Sequence, residues 1–449
     1  MAPMAITPPS EAQVDKTSDL TLSGITTALQ KTAPTHLDAA TLTPSITQPQ
    51  KPVLAQPPPQ PLPDLNASLL QETHATPSQL RPVPALTDPL RATQRLATDH
   101  MIQAHWSLST GWTAPTLTPY GPLALMPSAS CLHYATECFE GMKLYRGHDG
   151  ALRLFRPALN CNRMLMSATR IALPAFPPAQ LLALIVKLCE TDGPRWLPKH
   201  NPGQFLYIRP TMIATDPAIG VQRPTEAMLF IILTVLPQMD AVPGGVKLLA
   251  SNDDMCRAWP GGFGYAKVGA NYGPSLVAQG EARARGYDQI LWLFGDDGVV
   301  TEAGASNFFV VWREKGTGVL QLVTAGLGER IVLDGVTRRS VLELARGRLA
   351  KGTTAGEVEG LEVVERRFTM DEIRVAAEEG RLVEAFASGT AWFVAPISKI
   401  HYKGEDVEIP MAGGDMGVYT GLLKGWLKGI MWGEEAEREN PWGVVVNEQ

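Results

Sequence analysis

The first 105 residues of this 449-residue chain contain no Phe, Trp or Tyr, and the first aromatic residue is Trp106. A stretch crowded with Pro, Thr, Ser, Gln and Ala, including PPPQPLP from Pro57 to Pro63, lacks the large apolar side chains needed to offset its ordering entropy. Residues 1–94 therefore read as a largely disordered N-terminal extension. No Arg precedes Arg81, and Glu11, Asp15 and Asp19 come early, against the Arg-rich, acid-poor pattern of an import presequence. This favours a cytoplasmic protein over a mitochondrial one.

Other shortages exclude whole classes of function. The five cysteines form no CxxC pair and read as reduced thiols. The eight histidines show no HExxH or Cys/His ligand spacing, so no metal is expected. No Lys/Arg cluster stands out in a chain of net charge -6, which argues against a nucleic-acid partner. The longest apolar run, Ala227 to Leu236, stops at Pro237 and has about half the length that crosses a bilayer, so no membrane span is expected.

What is present is 45% hydrophobic and 19% charged, the balance of a globular protein long enough for two domains. Strand-like runs at 143–146, 151–155, 204–212 and 227–236 interleave with helical stretches at 157–170 and 179–188. Turn signals at His148-Asp149-Gly150 and Gly295-Asp296-Asp297-Gly298 fit hairpins. The pattern predicts an α+β fold with much antiparallel sheet. Pro243-Gly244-Gly245 suggests a hinge at 241–245, between a smaller domain at 95–240 and a larger one at 246–449.

The most unusual segment is WPGGFGYAKVGANYGPS, where Lys267 is the only charged residue between Arg257 and Glu281. A crowded, apolar setting disfavours an ammonium and frees the amine to attack an aldehyde or ketone. A lysine in such a loop also snorkels to water, and composition leaves both readings open. Neither GxGxxG nor a Walker pattern is present, so the glycines do not indicate a nucleotide site. In VVTEAGASNFFVVW, Glu302 lies between apolar runs; it reads either as a turn carboxylate or as a partner for a protonated ring nitrogen. The Asp334-Gly335 turn leads into a helical pattern and would offer the Val336 and Thr337 amides to an anion. Ser388, Gly389 and Thr390 offer amides and hydroxyls, and Arg163 a guanidinium fork. Each of these is also ordinary as a turn or surface residue.

Taken in order, LHYATECFEGMKLYRG, LRLFRPALNCNRM, FLYIRP, GYAKVGANYGPS, TEAGASNFFVVW and ASGTA resemble the branched-chain amino acid aminotransferases, pyridoxal 5'-phosphate enzymes of fold type IV. The likeness runs from about Thr98 to the mid-430s, and LDAATLT at Leu37 is similar to the family's opening segment. The resemblance implies a small N-terminal α/β domain, a larger C-terminal domain of antiparallel, barrel-like character, and the cofactor between them. It implies that Lys267 anchors the cofactor and moves the proton, that Glu302 faces the ring nitrogen, and that Tyr272 lies near the ring oxygen. Arg163, Val336, Thr337 and Thr390 match the phosphate cup. Tyr134, Phe139, Tyr207, Arg209 and Gly389-Thr390-Ala391 match the substrate pocket, with Val221 entering from the second subunit of a homodimer. The implied reaction exchanges an amino group between an aliphatic L-amino acid and 2-oxoglutarate. A D-amino acid aminotransferase, an aminodeoxychorismate lyase and a silent regulatory relative are the competing readings. Four pocket positions depart from the family pattern: Thr93 and Ala97 stand where phenylalanines are usual, Ala241 replaces a tyrosine, and Ala305 a threonine. Trp392 and Ala395 occupy the positions of the mammalian CxxC switch.

Overall fold

The computed structural model describes residues 61–238, 243–350, 358–435 and 442–448. Two sheets carry the fold. The first comprises β1 (Gln71–Glu72), β2 (Ala97–Ser107), β3 (Gly111–Trp112), β4 (Thr116–Pro119), β5 (Glu137–Phe139), β6 (Met142–Arg146), β7 (Leu152–Phe155), β8 (Phe205–Ala214), β9 (Glu226–Thr234) and, from far downstream, β19 (Gly443–Val446). Its path is β1-β4-β2-β9-β8-β6-β7-β19, with β3 on β2 and β5 on β8. Period-two alternation divides its faces. Leu206, Ile208, Leu229, Ile231 and Leu233 join the core formed with two helices, Pro157–Arg170 and Pro178–Trp196. Tyr207, Arg209 and Thr234 alternate with them and belong to the other face. Both helices begin with proline, whose fixed φ suits a first turn. They bury Cys161, Met164, Leu181, Leu184, Ile185 and Leu188 at helical spacing.

The second sheet comprises β10 (Val246–Ala250), β11 (Gln289–Phe294), β12 (Val299–Ala303), β13 (Ser306–Arg313), β14 (Leu320–Thr324), β15 (Glu362–Glu365), β16 (Leu382–Gly389), β17 (Phe393–Tyr402) and β18 (Glu405–Glu408). Its path β12-β11-β10-β17-β16-β13 closes on itself through β12–β13 pairing, which makes a ring of six strands. β13 is buried on both faces. Phe308, Val310 and Trp312 enter one core with helix Met370–Glu378, while Phe309 and Val311 enter another with helices Val336–Arg348 and Val418–Trp432. Phe309 and Phe386 stack with centroids 4.8 Å apart.

The α+β class, the 148–150 and 295–298 hairpins and helix Pro157–Arg170 match the expectations. Two features differ. Parallel pairs occur at β10–β11, β10–β17, β14–β15 and β1–β4 within the mostly antiparallel sheets. The packed chain also begins well before residue 95. Leu65 is 1% exposed in the first core, and Gln71 and Glu72 pair with Thr116 and Leu117. Ala67 N–H donates to Gln180 Oε1 (2.7 Å), Ala75 N–H to His100 Nε2 (2.8 Å) and Arg81 N–H to Asp99 Oδ1 (2.8 Å). A strap that satisfies its backbone this way needs one buried leucine, not an aromatic ring. LDAATLT at Leu37 lies outside the described residues; Leu65-Asn66-Ala67 carries the same leading Leu-Asp/Asn-Ala pattern. The chain crosses from the first sheet to the second between Thr234 and Val246, where Gly244 and Gly245 adopt φ of +74° and +73°.

Candidate active site

Lys267 lies between Ala266 and Val268, each 1% exposed and part of the first sheet's core. Its backbone is held on both sides. The amide donates to Ser167 Oγ (2.8 Å), the carbonyl accepts from Phe139 N–H (3.1 Å), and Val268 bridges to Cys138. The side chain is left free of that packing, and Nζ donates to the Tyr272 hydroxyl at 3.0 Å. Nζ also lies 4.9 Å from the centroid of the Phe139 ring. That ring is 5.3 Å from Tyr272 and 4.5 Å from the Arg209 guanidinium carbon, and Arg209 Nη2 donates to the Tyr207 hydroxyl (3.2 Å). Lys267, Tyr272, Phe139, Arg209 and Tyr207 thus form one continuous group. One nearby glycine serves close packing: a Cβ on Gly264 would collide with Ala258 and crowd the Ile331 carbonyl.

Glu302, on β12, is 3% exposed and not a surface turn residue. Its Oε1 accepts from Leu333 N–H (2.9 Å) and from Asn307 Nδ2 (3.4 Å), and its Oε2 pairs with Arg257. Burial raises the carboxyl above its usual range, against the pull of Arg257, Leu333, Lys267 and Arg163. One cavity is lined by Glu302, Tyr272, Ala305, Leu333, Ala266 and Arg257, among others.

Arg163 is buried and doubly bonded to Glu140, Nε to Oε1 at 2.7 Å and Nη2 to Oε2 at 2.8 Å. Its Nη1 donates to the Asp334 carbonyl (2.8 Å), one residue before Gly335, the N-cap of helix Val336–Arg348. Gly335 provides no side-chain cap. Val336, Thr337 and Thr390 line a small pocket with Gly141 and Asn160, and Thr390 Oγ1 donates to the Gly141 carbonyl (3.3 Å). Two residues before Thr390, Ser388 Oγ is buried with no hydrogen-bond partner among the described residues. Burial pushes Glu140 up, but the charge and bonds of Arg163, with Lys267 and Asn160, outweigh it and hold the carboxyl below its usual range.

The remaining sequence-derived positions scatter. Tyr134 ends the short helix Ser130–Tyr134, 37% exposed, with its hydroxyl on the Ile219 carbonyl. Val221 is 87% exposed. Ala391 follows Thr390 in the turn after β16. Ala97 pairs laterally with Thr234, which pairs with Tyr207, so it shares a row with the site. Thr93 does not join them: it is exposed at the end of a 3-10 turn, its hydroxyl on the Leu90 carbonyl. Ala241 lies outside the described residues. Sequence reasoning missed Glu140, Asn160, Ser167 and Arg257. The one available signal was the lone acid between Phe139 and Gly141 in FEGMK.

The amino-transferase class IV family profile matches residues 137–400. The chain belongs to that family. Its relatives there include the mitochondrial branched-chain-amino-acid aminotransferase of Schizosaccharomyces pombe, 44% identical over 77% of this chain and 78% of the relative. The cytosolic enzymes of Saccharomyces cerevisiae (43%, covering 78% and 90%) and Mus musculus (45%, covering 70% and 78%) are similar to it as well. The solved branched-chain aminotransferase of Thermoproteus uzoniensis with norvaline superposes with a TM-score of 0.60 at 25% identity, covering 77% of this chain and 99% of that one. A T.th. branched-chain amino acid aminotransferase solved with pyridoxamine 5'-phosphate gives 0.58 at 26%, covering 77% and 98%. The D-amino acid, lyase and silent-relative alternatives are not favoured by these likenesses.

The family's cofactor is pyridoxal 5'-phosphate, and the donors present suit it. A helix start without a side-chain cap, a buried Ser388 hydroxyl with no partner among the described residues, and Arg163 accompany an amine and a buried carboxylate. Among the described residues no helix is long and apolar enough to cross a membrane.

Proposed function

We propose that this protein transfers the amino group of an aliphatic, branched-chain-type L-amino acid to 2-oxoglutarate, giving the 2-oxo acid and L-glutamate. The observation that carries this is the Lys267 amine, fixed by its backbone and set 3.0 Å from the Tyr272 hydroxyl. When bound, pyridoxal 5'-phosphate supplies an aldehyde for that amine and an electron sink for the carbon that loses its proton. Lys267 anchors it and carries the proton between donor and acceptor positions. Tyr272 positions the amine and would stand near the cofactor's ring oxygen. Glu302 is the carboxylate that would keep the ring nitrogen protonated. Arg163, the Val336 amide, Thr337 and Thr390 hold the phosphate. Phe139, Tyr207, Arg209, Tyr134 and Ala391 wall the substrate, with Ala305 beside the ring.

Val221 of a second copy completes that wall in a homodimer; its near-complete exposure supports a role outside its own subunit. The cofactor would then lie between the part built on the first sheet, which takes in β1 and β19, and the part built on the second. We place the protein in the cytosol, although its relatives include both cytosolic and mitochondrial enzymes; cell fractionation tests this. The function is tested by glutamate formation from leucine, isoleucine or valine with 2-oxoglutarate, and absence of glutamate with all three donors would overturn it.

A further inference from the structure

We propose that Glu140 is the positioning residue for the phosphate end of the site, acting through Arg163. This rests on the reading that Arg163 holds the phosphate. Glu140 is 0% exposed, so it does not itself meet a ligand. Its two oxygens collect four donors: Arg163 Nε (2.7 Å) and Nη2 (2.8 Å), Asn160 Nδ2 (2.9 Å) and its neighbour's amide, Gly141 N–H (3.1 Å).

The arrangement fixes both the plane and the direction of the guanidinium. A guanidinium has five N–H donors. Glu140 takes one from Nε and one from Nη2, and the Asp334 carbonyl takes one from Nη1. One N–H remains on each terminal nitrogen, in a head group tied to the turn that starts helix Val336–Arg348. Glu140 also organises the opposite wall. Asn160 bonds both Glu140 and the Gly141 carbonyl, and that carbonyl accepts from Thr390 Oγ1. One buried carboxylate therefore sets Arg163 directly and Thr390 through Gly141. It sits beside Phe139, whose amide holds the Lys267 carbonyl.

An amide in place of the carboxylate has one acceptor and turns an NH2 toward the guanidinium, so Glu140→Gln breaks the fork. The test strips the full-length enzyme of cofactor and titrates it with pyridoxal 5'-phosphate and with pyridoxal. Both form the same imine with Lys267, and the hemiacetal that free pyridoxal forms in water is common to every variant, so the change in the ratio of their affinities from parent to variant isolates the phosphate end. Arg163→Ala and Glu140→Gln are each expected to lower the ratio by at least about tenfold, and the double variant to fall within about threefold of Arg163→Ala. A merely structural role would weaken both ligands alike and leave the ratio unchanged.

If Arg163→Ala lowers the ratio while Glu140→Gln stays within about twofold of the parent, Glu140 does not position Arg163 and the phosphate reading survives. If Arg163→Ala leaves the ratio unchanged, the phosphate reading fails and the proposal with it. Should Glu140→Gln not fold, Glu140→Asp, which keeps the charge but withdraws it by one methylene, is read by the same ratio: a tenfold fall supports the proposal and an unchanged ratio overturns it.

Discussion

The site contains two buried glutamate–arginine pairs, and they differ in how fully they are satisfied. Glu140 shares its oxygens among four donors, and Arg163 holds it below the usual carboxyl range. Glu302 has Arg257 on one oxygen and, on the other, Leu333 N–H and a long contact from Asn307, and burial holds it above that range. A carboxylate has room for about four donors. Glu140 is complete before any ligand arrives, whereas Glu302 faces a cavity with acceptor capacity left over. The closed pair is a support. The open pair is suited to receive an N–H that a ligand brings.

The largest effect should come from between the two pairs. Lys267→Ala is expected to cut transamination by several orders of magnitude, because anchor and proton carrier are lost together. More than about a tenth of parental turnover would show that another group does this work. Glu302→Gln should retain cofactor, seen by absorbance, but slow the single-turnover half-reaction on the order of tenfold or more. An unchanged rate would mean that the spare capacity of Glu302 is not used.

A third expectation concerns the row Ala97, Thr234, Tyr207. A small side chain where a ring is usual leaves volume for a longer substrate, and each covered methylene contributes on the order of 1 kcal/mol. Leucine or a longer or aromatic donor should exceed valine in kcat/KM by roughly tenfold. Equal use of leucine, isoleucine and valine, with no turnover of bulkier donors, would discard the enlarged pocket while leaving the reaction intact.

The two carboxyls also predict opposite acid responses. A lowered folded-state pKa contributes stability above the unfolded value, and that contribution is lost as pH falls through the folded one; a raised pKa has the reverse sign. The melting temperature of cofactor-free parent protein should therefore exceed that of Glu140→Gln near neutrality, with the gap shrinking as pH falls below about 4.3, the ordinary glutamate value, and on through the lower folded one. A gap independent of pH would mean that the charge of Glu140 is not what stabilises it.

Much of this was legible because it is local. The helix Pro157–Arg170 and the β6–β7 hairpin follow from spacing and turn residues within a few positions. The contacts that support the site residues are not local. Arg163 meets the Asp334 carbonyl 171 residues away and Glu302 meets Leu333 31 residues away, so neither environment can be read from its neighbours. Family likeness singled out Lys267, Glu302 and Arg163, but the absence of aromatics misplaced the start of the fold, because it overlooks a strap held by backbone bonds. The smallest expected effect tests that strap. Removing residues 1 to 36 should leave the melting temperature unchanged, whereas removing residues through 80 should lower it by several degrees, since burial of Leu65 alone is worth about 2–5 kcal/mol. Equal melting temperatures for the two truncations would show that the strap contributes nothing.

The last strand, β19, completes the first sheet by pairing with β7, and Glu448 bonds the fully buried Arg146. On a ribosome, all of β7 emerges before the entire second sheet is made, so an unpaired edge and a buried cation wait for distant partners, Glu448 lying 302 residues beyond Arg146. Such an edge is a template for pairing with other chains. The nascent chain is therefore exposed to mispairing from the emergence of β7 until β19 emerges and covers that edge.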